Sequence, residues 1–436
     1  MPPLIEDIYY ELKKIPLIDC HDHILEYESA KKEKLGTMET ISRSYAGLDF
    51  ITAGMAPDVW KSNDREFIWK NFAKYQPYVG STNFYKCAIR SLQDLFGLEG
   101  SQIDKQQENL VSQRIQAAYE RDDWYEDVLK KRCNIAISIL DNYWSVEEFR
   151  HDQDFFIPAL RVDPFILGRD YKSPWVAAQN SHSTVERIAS SWDMPIDTFK
   201  EYLALIENAF SRYLAKGCPA IKICVAYERD LHFAPCSRKK AMDLYDKSPQ
   251  RLTSEERSEL GNFMAHYLIQ LSIESGLPIQ IHTGFLARNA IYVDYGNAEK
   301  LNNLFISYPD AKFVLFHNGY PYTHSTFSMI KMFPNVYLDI CWVSNLSSDL
   351  AEESLSLALD LIPNNKIMWG ADAERVEDAY ASTIMSIEGI SRVLNRKIKG
   401  GMHIDYAMRV AKNILHDNPL NFYPGIDTLL ASKMID

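Results

Sequence analysis

The sequence has no long run of lysines or arginines, and acids outnumber bases 59 to 47, a formal charge of −12. Proteins that grip nucleic acid or anionic membranes present a basic face, so neither is expected as a partner. Nothing approaches the roughly 18 consecutive apolar residues of a membrane span. The opening "MPPLIEDIYYELKKIP" is acidic and amphipathic, without the apolar centre of a signal peptide. None of the seven cysteines (Cys20, Cys87, Cys133, Cys218, Cys224, Cys236 and Cys341) is spaced C-x-x-C. An odd, scattered set reads as reduced thiols and predicts a soluble, cytoplasmic protein. Internal repeats and low-complexity segments are missing as well. No G-x-G-x-x-G follows an apolar run, which removes the usual support for a dinucleotide fold.

What is present is an ordinary apolar fraction of 46%, enough for a large core. The 436 residues are about three times a common domain, but barrels hold that many in one, so 1–436 is expected to be a single domain. Short β-branched runs predict strands near 15–21, 134–140, 156–162, 219–225, 278–282, 312–317, 335–340 and 366–370. Several are apolar on both faces, as parallel strands covered on both sides must be. Helical segments lie between them, such as "IDTFKEYLALIENAFSRYLAKG" and "SEERSELGNFMAHYLIQLSIESG". The second is expected to start at Ser254 without a full capping box, and each stops at a glycine. Eight alternating strands and helices predict an α/β fold, the (β/α)₈ TIM barrel, with an open doubly wound sheet as the competing arrangement. The aromatic-rich interval of about 27–130 reads as a helical insertion after strand 1.

Barrel enzymes build their sites from residues at the C-terminal ends of different strands. Here "PLIDCHDHIL" closes the first strand, and residues two apart on a strand share a face. His21 and His23 are therefore expected to project together, with Cys20 turned away and no nucleophilic role for its thiol. Strand five ends in His282, strand six in His317, Asp372 follows strand eight, and strand four contains Lys222. Each alone reads equally well as a buried, hydrogen-bonded residue or a helix cap; together they predict a metal site. "AYERDL" follows Lys222 directly, placing Tyr227 and Arg229 on the loop above, where they could fix a substrate carboxylate. Arg288 and Arg375 are further loop candidates. The remaining histidines (His151, His182, His232, His266, His324, His403 and His416) are expected to be non-catalytic, with His324 nearest the pocket.

The stretches "DCHDHIL", "AIKICVAYERDLHF", "LPIQIHTGF", "FVLFHNGYPY", "NVYLDI" and "KIMWGADAE" resemble the amidohydrolase superfamily. Within it they are most similar to the amidohydrolase-related branch and to the domain fused to glutamine synthetase in nodulin-like proteins. The resemblance runs from about residue 15 to 390 and is densest after 219. It implies His21, His23, His282 and Asp372 as metal ligands, for one or two ions, most readily zinc, with manganese or iron as alternatives. It further implies Asp372 as the base beside a metal-activated water, and His317 as either a second-metal ligand or a group polarising the substrate carbonyl. Lys222 becomes a carbamylated bridge, a point charge for a substrate carboxylate, or a structural lysine paired with Asp19 or Asp339.

The function implied is metal-dependent hydrolysis of an amide or related C–N bond in a small carboxylated molecule. A metal-dependent decarboxylase or sugar-acid isomerase of the same superfamily is the alternative. A non-catalytic binding or regulatory barrel comes third, because an inert barrel has no reason to keep H-x-H together with Asp372. A small-molecule substrate and a homo-oligomer are the expected partners.

Overall fold

The computed structural model describes residues 5–172, 182–287 and 291–433. Among the described residues nine short strands run in chain order: β1 (Leu17–Asp22), β2 (Ile135–Leu140), β3 (Phe156–Pro158), β4 (Leu160–Arg161), β5 (Ile221–Ile223), β6 (Ile279–Ile281), β7 (Phe313–Phe316), β8 (Val336–Asp339) and β9 (Ile367–Met368). All pairs are parallel, in the orders β1-β2-β3 and β4-β5-β6-β7-β8-β9. The strand expected over 156–162 is one stave that changes partner midway. Ala159 N–H donates to the Leu140 carbonyl at 2.8 Å, and Leu160 N–H to that of Ala220 at 3.0 Å. The ring is joined at its other seam by Cys20 N–H to the Trp369 carbonyl (3.1 Å), Asp372 N–H to that of His21 (2.8 Å) and His23 N–H to that of Ala373 (2.8 Å). Eight staves in a ring make the (β/α)₈ barrel.

Both faces of these staves are buried, which is why their sequences are apolar without alternation. Ile18, Cys20, Ile137, Ile139, Val314, Phe316 and Met368 pack with Tyr423 and Ile426 in an inner cluster, so the barrel is filled. Leu17, Ile135, Ile221, Ile223, Ile279, Ile281, Phe313 and Leu315 belong to the larger outer core shared with the helices. Cys20 lies inside, not on the far side from His21 as strict alternation requires. Between the pairs Asp19↔Ser138 and Asp22↔Leu140, β1 spends three residues against two on β2. That bulge carries one extra residue and resets the phase, so both Cys20 and His21 face inward. Asp22 then turns to the seam, where its Oδ1 accepts the Ala373 N–H at 2.7 Å.

The segment between β1 and β2 folds as helices, among them Arg65–Val79, Asn83–Phe96 and Lys105–Tyr119. The ring of Tyr45 lies 4.9 Å from that of Trp342 and 5.2 Å from that of Phe84, and this aromatic packing brings the insertion over the loops beyond β7, β8 and β9. The helix expected to start at Ser254 has Thr253 as its cap, in a full capping box with Glu256. Among the described residues no helix is long and apolar enough to cross a membrane.

His151 ties the insertion's start to β3. Its Nε2–H donates to the Ile24 carbonyl at 2.8 Å, and its ring packs against Phe149 and Phe156. Burial holds its pKa down at about 4, against an ordinary 6.5. The unfolded chain therefore takes up a proton between those values while the folded protein does not, and stability falls as pH drops through that window. The variant His151→Gln is expected to lose less stability than the parent between pH 6.5 and 4, by up to about 3 kcal/mol. Denaturant midpoints measured across that range check this.

Candidate metal centre

The two histidines at the end of β1 are fixed by what their Nδ1 atoms touch. His21 Nδ1 lies 3.1 Å from Gln280 Oε1. The Gln280 amide nitrogen is spent on the Cys20 carbonyl (2.8 Å) and the Tyr423 hydroxyl (3.0 Å), so its oxygen is an acceptor and His21 Nδ1 carries the hydrogen. His23 Nδ1 donates to the Asp141 carbonyl at 2.7 Å. Both Nε2 atoms are thus left as lone pairs, and they face each other at 3.2 Å.

Further acceptors converge on the same point. Asp372 Oδ1 lies 3.4 Å from His23 Nε2 and 4.0 Å from His21 Nε2. His317 donates its Nδ1–H to the Thr283 carbonyl at 3.1 Å, and its Nε2 meets Asp372 Oδ2 at 2.8 Å. Imidazole lone pairs and a carboxylate so close together repel unless positive charge lies among them, and this donor set suits a divalent metal. The preference for positive charge shows in the titration of the residues themselves. Burial opposes charge on both groups, yet the mutual contact of His23 and Asp372 prevails: the His23 pKa is raised and that of Asp372 falls well below the ordinary carboxylate value. Burial, then the Lys222 charge, holds His21 neutral; burial, then His317, does the same for His282.

The family model described as Amidohydrolase matches residues 176–425, more than half of the sequence. The chain belongs to the amidohydrolase family. Solved structures of similar shape include a uronate isomerase from Thermotoga maritima, at TM-score 0.78 and 16% identity over 96% of this chain and 97% of that one. A glucuronate isomerase from Caulobacter crescentus gives 0.73 and 17% over 96% and 93%. A putative metal-dependent hydrolase from Lactobacillus casei gives 0.64 and 16% over 98% of each chain. At these identities the likeness is one of fold. Among curated proteins, Protein fluG of Emericella nidulans is 32% identical over 149 residues, a match that spans 34% of this chain and 17% of that protein.

In this amidohydrolase the centre opens into a cavity of about 270 Å³. His23, His282, Asp372 and Tyr227 line it, and the Tyr227 hydroxyl accepts the Ala287 N–H at 3.1 Å. His282 spends its Nε2–H on the Phe285 carbonyl (3.0 Å) and stands edge-on to His317, ring centres 4.3 Å apart. Lys222 is buried beneath, its Nζ 3.2 Å from His21 Nε2 and 3.6 Å above the Phe316 ring. The acids considered as its partners are occupied by main-chain N–H groups, Asp19 by His21 and Ala371 and Asp339 by Cys341. Burial lowers the Lys222 pKa.

Two expected arginines lie elsewhere. Arg229 donates to the carbonyls of Ser258 and His232 and to Asn262 Oδ1, bracing its loop against the helix Ser254–Glu274. Arg375 is 4% exposed and donates to Glu33 Oε2 at 2.7 Å, fastening the insertion to the segment that bears Asp372. Arg288 lies outside the described residues. His182, expected to be a bystander, lines the cavity with its ring 4.8 Å from that of Tyr143, and His324 does not line it.

Sequence reasoning missed the cavity's own cation, Arg161, which grips Asp141 through Nε (2.9 Å to Oδ2) and Asp163 through Nη1 (2.8 Å). It also missed Glu374, which accepts from the Tyr143 hydroxyl at 2.9 Å. The signal for Asp141 and Arg161 was available, since one follows β2 and the other ends β4, the positions where barrel sites are built.

Because Gln280 sets the proton position on His21, Gln280→Leu should weaken metal binding about 10–100-fold and leave the fold intact. Metal titration of the chelator-stripped variant, beside its thermal melt, tests this.

Proposed function

We infer that this protein is a metal-dependent sugar-acid isomerase. The observation that carries the reading is the cavity: about 270 Å³ of space in which Tyr143, Arg161, His182, Tyr227 and Glu374 stand around the Asp372 carboxylate. These side chains bring hydrogen-bonding groups to walls that Leu48, Ala287 and Trp342 otherwise make apolar, which suits a small polyhydroxylated carboxylate better than a wholly apolar acyl chain. The shared fold with uronate and glucuronate isomerases, extending over 96% of the chain, supports it further.

His21, His23 and Asp372 would hold the metal, with His282 and His317 beside them. Zinc suits this nitrogen-rich set best, ahead of manganese or iron. A divalent cation held there supplies Lewis acidity to a substrate oxygen. The remaining steps belong to side chains. Asp372, ionised at neutral pH, takes the proton from the hydroxyl-bearing carbon next to the carbonyl and delivers it to the former carbonyl carbon, while the hydroxyl proton passes from one oxygen to the other. His317, whose Nε2 lies 2.8 Å from Asp372 Oδ2, stands beside that carboxylate. The Lys222 Nζ supplies positive charge toward the oxyanion that develops between the two carbons. Arg161, already neutralised by Asp141 and Asp163, is a hydrogen-bond donor to substrate and not a free charge. The seven cysteines are all free thiols, in keeping with a cytoplasmic location.

A second reading, hydrolysis of a C–N bond, is favoured by the family match, which takes in Lys222, His282, His317 and Asp372. The two are separated by incubating metal-loaded protein in D₂O with hexuronic acids and with N-acyl and γ-glutamyl amides. Isomerisation converts the hexuronic acid to its keto isomer, seen by NMR with or without solvent deuterium on carbon; amine release with no isomer formed would contradict it. Asp372→Asn is expected to lower turnover by about 10²–10⁴-fold without unfolding the protein.

A further inference from the structure

Two groups of potential ligand atoms, each within 4.8 Å of one another, occur at the barrel mouth among the described residues. The first is His21, His23 and Asp141, but the Asp141 carboxylate is already gripped by Arg161. The second is His317, Cys341 and Asp372, and all three are buried. Cys341 lies in the loop just after β8. Cys341 packs in the barrel's inner cluster, where a small apolar side chain would serve as well, and the reaction proposed above uses no thiol there.

Three features set Cys341 apart from a cysteine that merely fills space. It stands beside His317 and Asp372, whose own contact joins an imidazole lone pair to a carboxylate. Its main chain is pinned, the N–H donating to Asp339 Oδ1 at 2.9 Å and the carbonyl accepting from Val343 N–H at 2.7 Å. The backbone around it is also strained: His317, Asn318, Trp342 and Asp372 all have positive φ, at 61°, 55°, 62° and 55°. Non-glycine residues seldom adopt this conformation, and such strain gathers where side chains must be aimed. Here it occurs at three successive stave ends and turns His317, Cys341 and Asp372 toward one point.

We propose that Cys341 is a metal ligand, binding as thiolate with His317 and Asp372 to form a second cation position beside the one built on His21 and His23, with Asp372 shared between them. The inference rests on the metal-dependent reading above and deepens it. Ligand atoms around a tetrahedral ion lie about 3.4–3.7 Å apart. The 2.8 Å contact of His317 with Asp372 would thus open slightly while the thiol closes in. On binding, the S–H bond breaks, a metal–sulfur bond forms and the proton leaves to solvent. The thiolate adds a negative charge that the shared carboxylate alone does not supply, and the sulfur selects a thiophilic ion, zinc before manganese.

The test is reconstitution of chelator-stripped protein with cobalt(II), reading ion content and the near-ultraviolet thiolate-to-cobalt charge-transfer band. The parent should take up about two ions per chain and show the band. Cys224→Ser, which alters the thiol that lines the cavity, should keep both, whereas Cys341→Ser and Cys341→Ala should bind about one ion fewer and lose the band. Cobalt-edge X-ray absorption of the parent needs no variant and should show a sulfur neighbour. A parent that binds cobalt without the band or a sulfur neighbour, or a folded Cys341→Ser that retains both, overturns the proposal and leaves the metal-dependent reading standing. A parent that binds no cobalt overturns both.

Discussion

Two imidazole rings, each with its hydrogen committed elsewhere, dictate what the centre can hold. A neutral histidine offers one lone pair, and the partner of its other nitrogen decides which. In His21 that partner is Gln280, itself oriented by the Cys20 carbonyl and the Tyr423 hydroxyl. A residue near the C-terminus of the chain thus sets the proton position on a residue of the first strand. In His23 the partner is the Asp141 carbonyl, held in turn beside the Asp141–Arg161 pair. The result is two lone pairs at 3.2 Å with a carboxylate closing on them, an arrangement stable only around positive charge.

The rest of the barrel mouth serves that constraint. The β1 bulge lets Cys20 and His21 both face inward, and Asp22 is then free to fasten the seam by which β1 meets the Asp372 segment. Arg375 and Glu33 hold the insertion against the same segment, and Tyr45 and Leu48 of the insertion complete the cavity wall. Buried ion pairs of this kind add little net stability, but removing one partner leaves an uncompensated charge, so they fix position well.

Much of this was legible in the sequence, for identifiable reasons. Parallel staves buried on both faces read as apolar runs, and their C-terminal ends mark where reactive groups gather, so His21, His23, Lys222, His282, His317 and Asp372 could be named together. What escaped depended on registers and paths that sequence spacing does not encode. A single-residue bulge put Cys20 on the inner face. Arg229 was placed at the site by its nearness to Lys222, yet its donors go to main-chain carbonyls and to Asn262 Oδ1. Arg375 follows Asp372 by three residues but points into the insertion. Proximity along a loop says little about direction, because each turn resets it.

The central claim is that the converging acceptors of His21, His23 and Asp372 form a metal site. Anomalous diffraction from a crystal grown with zinc, measured on both sides of the zinc edge, addresses it most directly. The account predicts an edge-dependent peak bonded to His21 Nε2, His23 Nε2 and an Asp372 oxygen. A crystal with saturating zinc, ordered side chains and no such peak among these atoms would contradict it.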